Sequence, residues 1–214
     1  VLAHLRGDWA GEKAARDAAL AKWAANPAVD HLIGRKLSQK YRFLEGAAYQ
    51  RRALKLEPGN VPARLQLCQD LLRLGQDEEG WRLAAEVYEA DGYSVVAHNL
   101  ELLRQRLKGY AVLERSGIRL RMEPKEAAVY GEAALDLLVR ARDALAAKYE
   151  VEVPGPIAVE LFAEQQDFAI RTFGLPGGAG FLGVCFGSVI TANSPASQGE
   201  TPANWQSVLW HEMG

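Results

Sequence analysis

The sequence of 214 residues closes on His211-Glu212-Met213-Gly214. An imidazole followed directly by a carboxylate is the first half of an H-E-x-x-H arrangement. In that arrangement two histidines four apart lie on one helical face and ligate Zn²⁺, while the glutamate between them polarises a metal-bound water. The sequence stops one residue before the place of the second histidine. One imidazole does not hold a catalytic metal. The expectation is therefore a hydrolase fragment that is inactive as it stands, with zinc bound by a longer parent and absent or weakly held here.

A pair of this kind needs a helix to aim it. Thr201 reads as an N-cap and Pro202 as the first helical residue, so that His211 and Glu212 start the third turn. Trp205, Val208 and Leu209 form an i, i+3, i+4 apolar stripe that buries the helix, leaving both polar residues in a largely apolar surround where a metal or hydrogen bonds must offset their desolvation. The competing reading is a frayed helix end with solvated side chains.

Ahead of that helix the texture is mixed. Ile118-Arg119-Leu120-Arg121-Met122 alternates apolar and charged residues as a half-buried strand does. A long amphipathic helix follows over 125–148, with Leu135, Leu138, Ala141, Ala144 and Leu145 on its apolar face. Ile157-Ala158-Val159-Glu160-Leu161-Phe162 is the next strand, and 164–173 a short helix. Residues 180–186 and 189–193 read as two strands, joined at Gly187-Ser188 by a two-residue turn in which glycine supplies a positive φ. Residues 194–201 read as a loop.

Residues 1–108 are different: rich in Ala, Leu, Arg, Glu and Gln, apolar at helical spacing, and broken at Gly7, Asn26-Pro27, Pro58-Gly59-Asn60, Gly75 and Gly92. Offset against itself by 34, this stretch aligns Ile33 with Leu67, Gly34 with Cys68, Leu37 with Leu71, Gly46 with Gly80, Ala53 with Val87 and Pro58 with Gly92. A period of 34 is that of the tetratricopeptide repeat. The segment resembles that family over residues 27–94, with a partial unit before it that includes Ala14 to Trp23 and another beginning at Ser94. It departs from the family at Gln50 and Ala84, where a large aromatic is usual, and at Asp30 and Arg64, where tryptophan is common.

The fold class expected is thus α-helical repeats over 1–108 followed by a partial zincin-like α+β subdomain over 109–214. The order of elements in the second part resembles the N-terminal subdomain of gluzincin zinc metallopeptidases. More narrowly, 167–178, Gly183-Val184-Cys185-Phe186-Gly187 and 205–212 look like the peptidase MA-like domain, which in bacterial proteins often follows tetratricopeptide repeats. The resemblance implies that His211 is the first zinc ligand and Glu212 the general base. It also implies that the first strand of the final hairpin is a sheet edge at which Gly183, Val184 and Cys185 bind a peptide or protein substrate in extended form. The rival reading is a non-catalytic adaptor or scaffold, its repeats binding a protein partner beside a degenerate peptidase-like domain.

The remaining features exclude more than they suggest. With 25 basic and 27 acidic residues the formal charge is −2, which gives no electrostatic reason to expect nucleic acid or anionic membrane as partner. No apolar run approaches the roughly 20 residues of a membrane helix, so a soluble segment is expected. Val1 in place of Met reads as an excised piece. Cys68 and Cys185 read as free buried thiols, Cys185 inert within its strand, although sequence alone leaves a disulfide open. Pro176-Gly177-Gly178-Ala179-Gly180 lacks the Lys-Ser/Thr of a phosphate loop and is a turn. His4, His31 and His98 sit in helical segments at no ligand spacing and read as surface or interhelical residues.

Overall fold

The computed structural model describes residues 1–200 and 202–214, in two compact units, Val1–Gly92 and Tyr93–Gly214. The first is helical: α1 (Leu2–Leu5), α2 (Trp9–Leu20), α3 (Pro27–Ser38), α4 (Phe43–Leu56), α5 (Val61–Arg73) and α6 (Asp77–Ala90). The 34-residue period is visible in its joints. Helices α2, α4 and α6 begin at residues 9, 43 and 77, and the left-handed turn residues Gly7, Tyr41 and Gly75 are spaced identically. Tyr41 takes a backbone conformation (φ 60°) that suits its two glycine counterparts better. Asn26 and Asn60, also 34 apart, cap α3 and α5 by accepting from the N–H of Ala28 and Ala63, each at 3.0 Å.

Small residues set how closely these helices pack. A Cβ on Gly34 would stand 2.8 Å from the carbonyl of Gly46, and one on Gly80 2.7 Å from Leu72 Cδ2. Two of the positions that depart from the repeat pattern carry buried polar links instead. Asp30, fully buried, receives two hydrogen bonds of 2.7 Å from Arg16. Gln50, equally buried, meets the His31 ring at 2.9 Å and the His31 carbonyl at 3.1 Å. A polar side chain with both ends satisfied can replace an aromatic there because no buried donor or acceptor of its amide is abandoned.

The second unit begins with α7 (Val95–Leu107), which the change of composition near Gly109 had assigned to the helical stretch. It continues through β1 (Ala111–Arg115), β2 (Ile118–Met122), α8 (Pro124–Glu126), a π-helical turn at Ala127–Gly131, α9 (Glu132–Tyr149), β3 (Ile157–Phe162), α10 (Gln165–Phe173), β4 (Gly183–Phe186), β5 (Val189–Asn193) and α11 (Trp205–Met213). Helix α7 packs on α10, where Asn99 donates to the Gly174 carbonyl and Arg106 pairs with Asp167, and this ties it to the sheet unit. The expected 125–148 helix is present but carries the π turn near its start.

The described strands form one mixed sheet in the order β1-β2-β3-β5-β4, with β2, β3 and β5 parallel and the two edge strands antiparallel to their neighbours. Strand β1 was not foreseen. Its signal was the pair Ser116-Gly117, whose φ values of 50° and 78° make a two-residue hairpin turn. On one face Ile118, Leu120, Met122, Ile157, Val159, Leu161, Ile190 and Ala192 pack against Leu135 and Leu138 of α9 and Leu209 of α11. The other face is covered by α10 and is partly polar: Glu160, 2% exposed, pairs with its in-register neighbour Arg121 at 2.7 Å and with Arg171 of α10 at 2.5 Å. Among the described residues no helix is long and apolar enough to cross a membrane.

Two measurements test this packing. Arg171→Ala leaves the Glu160 carboxylate buried with half its compensation and should cost about 3–5 kcal/mol in denaturant unfolding, whereas a surface arginine pair such as Arg51–Glu79 should cost no more than ~1 kcal/mol. Equal costs would show that the charge is not buried as described.

Asp70 is fully buried between the helices, accepting from Ser38 of α3 at 2.8 Å and from Gln66 at 2.9 Å, and burial pushes its carboxyl up from 3.8 to about 6. A carboxyl raised in the folded state contributes stability that is full below about pH 4 and is lost as pH rises through about 6. The unfolding free energy from denaturant titrations should therefore fall between pH 4 and pH 7 by more in the native chain than in Asp70→Asn, the difference reaching up to about 3 kcal/mol. Identical pH profiles for the two would contradict the assignment.

Candidate active site

Helix α11 carries the His-Glu pair, and its start differs from the expected one. Thr201 lies outside the described residues, Pro202 is not helical, and Asn204 is the cap, its Oδ1 accepting from Ser207 N–H at 3.1 Å. The helix is fixed along its length by Trp205 against the ring of Tyr130 (5.1 Å between centroids) and by Leu209, which is 1% exposed. Tyr130 belongs to the π turn that opens the long helix.

At about 100° per residue, Glu212 falls in the middle of the stripe made by Trp205, Val208 and Leu209, whereas His211 lies a third of a turn away. The structure follows that arithmetic. Glu212 is half-buried, and His211 is exposed rather than enclosed in the expected apolar surround. Only one member of the pair is thus aimed at the sheet.

What Glu212 meets there is strand β4. A Cβ built on Gly183 would stand 2.7 Å from Glu212 Cγ and 3.0 Å from Val208 Cγ1, so the carboxylate side chain occupies space that any larger residue at 183 would fill. Burial raises the Glu212 pKa above its usual 4.5, opposed by the neighbouring His211 and by the nearby backbone of Cys185. Gly183, Val184 and Cys185 are therefore brought to Glu212 through β4, and His211 reaches the group only as Glu212's neighbour in the chain.

Strand β4 is the free edge of the sheet, joined to β5 by the foreseen two-residue turn, with Gly187 at φ 63°. It is shorter than expected: residues 180–182 precede the strand, although Asn193 still bonds the Phe181 and Leu182 carbonyls at 2.9 Å each. Its far face rests on α10, where Phe173 meets Phe186 at 6.3 Å and Phe181 at 5.5 Å. Thr191 of β5 also bonds Thr172 of α10 at 2.8 Å. Edge position explains one correction: Cys185 is exposed, not buried, and both cysteines are free thiols. Its thiol pKa is nevertheless raised, by desolvation first and by the Glu212 charge second, which is the opposite of what activates a nucleophile.

The arrangement offers a carboxylate fixed beside a sheet edge, with one exposed imidazole next to it. Among the described residues no group of three or more His, Cys, Asp or Glu side chains is placed to hold a metal ion. The polar triad Arg121–Glu160–Arg171, which the sequence reading missed, lies on the opposite face of the sheet and braces it. Its one signal was a glutamate inside an otherwise apolar strand. Compared with known proteins, the chain matches no family model, no curated protein and no solved structure.

Proposed function

We propose that residues 109–214 are the substrate-strand and active-helix part of a zinc-dependent metallopeptidase domain, and that the helical repeats before it are tetratricopeptide-like and bind a protein partner. The observation that carries this reading is the docking of Glu212 onto the edge strand β4. A peptide that adds to such an edge in extended form lies along Gly183, Val184 and Cys185, and its backbone then passes a carboxylate able to take or give a proton. The mixed sheet with an antiparallel outer strand beside the His-Glu helix supports the same reading.

The residues present do not by themselves fit a zinc ion. His211 is a single donor, and a catalytic zinc site needs three protein ligands. On this proposal the others, a histidine at 215 and a glutamate further on, come from sequence that follows Gly214 in a longer parent. That same exposed, solitary His211 favours a second reading, in which the α+β unit is a degenerate peptidase-like domain within an adaptor that binds protein through its repeats.

Elemental analysis and peptide hydrolysis decide between them. The 214-residue chain should carry no stoichiometric zinc and show no turnover. A chain continued through the parent reading frame should bind one zinc and hydrolyse peptides, and Glu212→Gln should then lower kcat by roughly 10²- to 10⁴-fold with zinc retained. Full activity in that variant would remove the assigned base, and a residue other than histidine at 215 would favour the adaptor.

A further inference from the structure

The two edges of the sheet are finished differently. Strand β1 ends in Glu114-Arg115, and both are ion-paired: Glu114 with Arg119 across the hairpin at 2.6 Å, Arg115 with Glu132 and Asp136 of α9. Charged side chains along an outer strand guard it, because a second strand that paired there would have to desolvate them. Strand β4 has no such guard. From Thr172 to Gly199 the sequence holds no Asp, Glu, Lys, Arg or His, and among the described residues no strand pairs with the outer side of β4.

What flanks β4 is different on its two faces. Alternation sends Val184 and Phe186 towards α10, and Gly183 and Cys185 towards α11. On the α10 side Phe186 and Phe181 both stand against Phe173, at 6.3 and 5.5 Å between ring centroids, and Phe181 and Leu182 remain 53% and 39% exposed. On the α11 side the half-buried Glu212 stands with Val208 over Gly183.

We infer that this edge takes uncharged, apolar segments of extended peptide: large apolar side chains at every second position lie on the shelf of Phe173, Phe181 and Phe186, and no acidic side chain is accepted on the opposite face beside Glu212. The occupant is a peptide backbone because what β4 offers outward is a strand edge. It is apolar because nothing along 172–199 could neutralise a charge set down there. Covering Phe181 and Leu182 supplies the affinity that main-chain hydrogen bonds, exchanged for water, supply only in part. Phe181 is thereby the residue that sets the side-chain preference. This deepens the peptide-binding part of the proposed function and rests on it, but on neither zinc nor catalysis.

The test follows the amide spectrum of the ¹⁵N-labelled 214-residue chain during titration with two acetylated, amidated hexapeptides, one alternating leucine with threonine and one alternating serine with threonine. The leucine peptide should shift the β4 and β5 amides and bind at least roughly 10-fold more tightly than the serine peptide. Phe181→Ser, a change at an exposed side chain, should remove most of that difference while leaving the affinity of the serine peptide as it was. Val184→Lys, which gives β4 the kind of guard that β1 has, should weaken the leucine peptide at least roughly 10-fold, whereas Val112→Lys on β1 should not. Equal affinities of the native chain for the two peptides, or equal weakening of both in Phe181→Ser, would overturn the apolar class and leave strand addition at β4 standing. No binding of either peptide, or leucine-peptide binding that Val184→Lys leaves intact, would remove strand addition at this edge and the inference with it. Self-association of the native chain in place of peptide binding, abolished by Val184→Lys, would also overturn it, since the occupant would then be a second copy.

Discussion

The approach of Glu212 to Gly183 is the constraint on which the rest of the α+β unit turns. A carboxylate on the apolar stripe of α11 would be costly to bury against Val208 and Leu209 alone. It is tolerated because the helix ends against the edge strand at residue 183, which has no side chain, so that Glu212 stays only half-buried. The sheet order, with β4 outermost, and the identity of residue 183 are therefore parts of one arrangement.

The remainder of the unit holds β4 and α11 in that relation. The core of Ile118, Leu120, Val159, Leu161 and Ile190 under α9 fixes the plane of the sheet, and Leu209 and Met213 of α11 join it. From the other side, Phe173 supports Phe181 and Phe186, and the Thr172–Thr191 bond pins α10 to β5. Arg121, Glu160 and Arg171 give that face a buried charged centre. Its geometry must be kept because breaking it strands an ion in a low-dielectric interior. The helical unit uses polar links in a comparable way, with Arg16–Asp30 and His31–Gln50 standing where its repeat pattern loses large aromatics.

Much of this was legible in the sequence, and the failures have physical causes. Strands β2, β3 and β5 could be read because alternation or an unbroken apolar run marks burial, and the Gly187-Ser188 turn because a tight hairpin demands a positive φ. Strand β1 escaped notice because Ala111-Val112-Leu113-Glu114-Arg115 is short, lies at an edge and keeps no strict alternation, leaving only Ser116-Gly117 as a cue. The start of α11 was misplaced because Thr201-Pro202 and Asn204 are both good caps, and local chemistry alone does not choose between them. His211 and Glu212 were treated as a unit, although helical geometry separates them: one continues the buried stripe and the other leaves it. The close approach of Glu212 to Gly183 joins elements distant in the chain and has no signature in either segment.

The unit turns on the packing of Glu212 against Gly183. In the ¹³C,¹⁵N-labelled chain, nuclear Overhauser contacts should connect the α-protons of Gly183 to the γ-protons of Glu212, and Gly183→Ala should shift the Glu212 side-chain resonances while the amide spectrum of β5 and α9 is preserved. A native chain in which Gly183 shows no such contact, together with a Glu212 carboxyl resonance like that of a solvated glutamate, would contradict it.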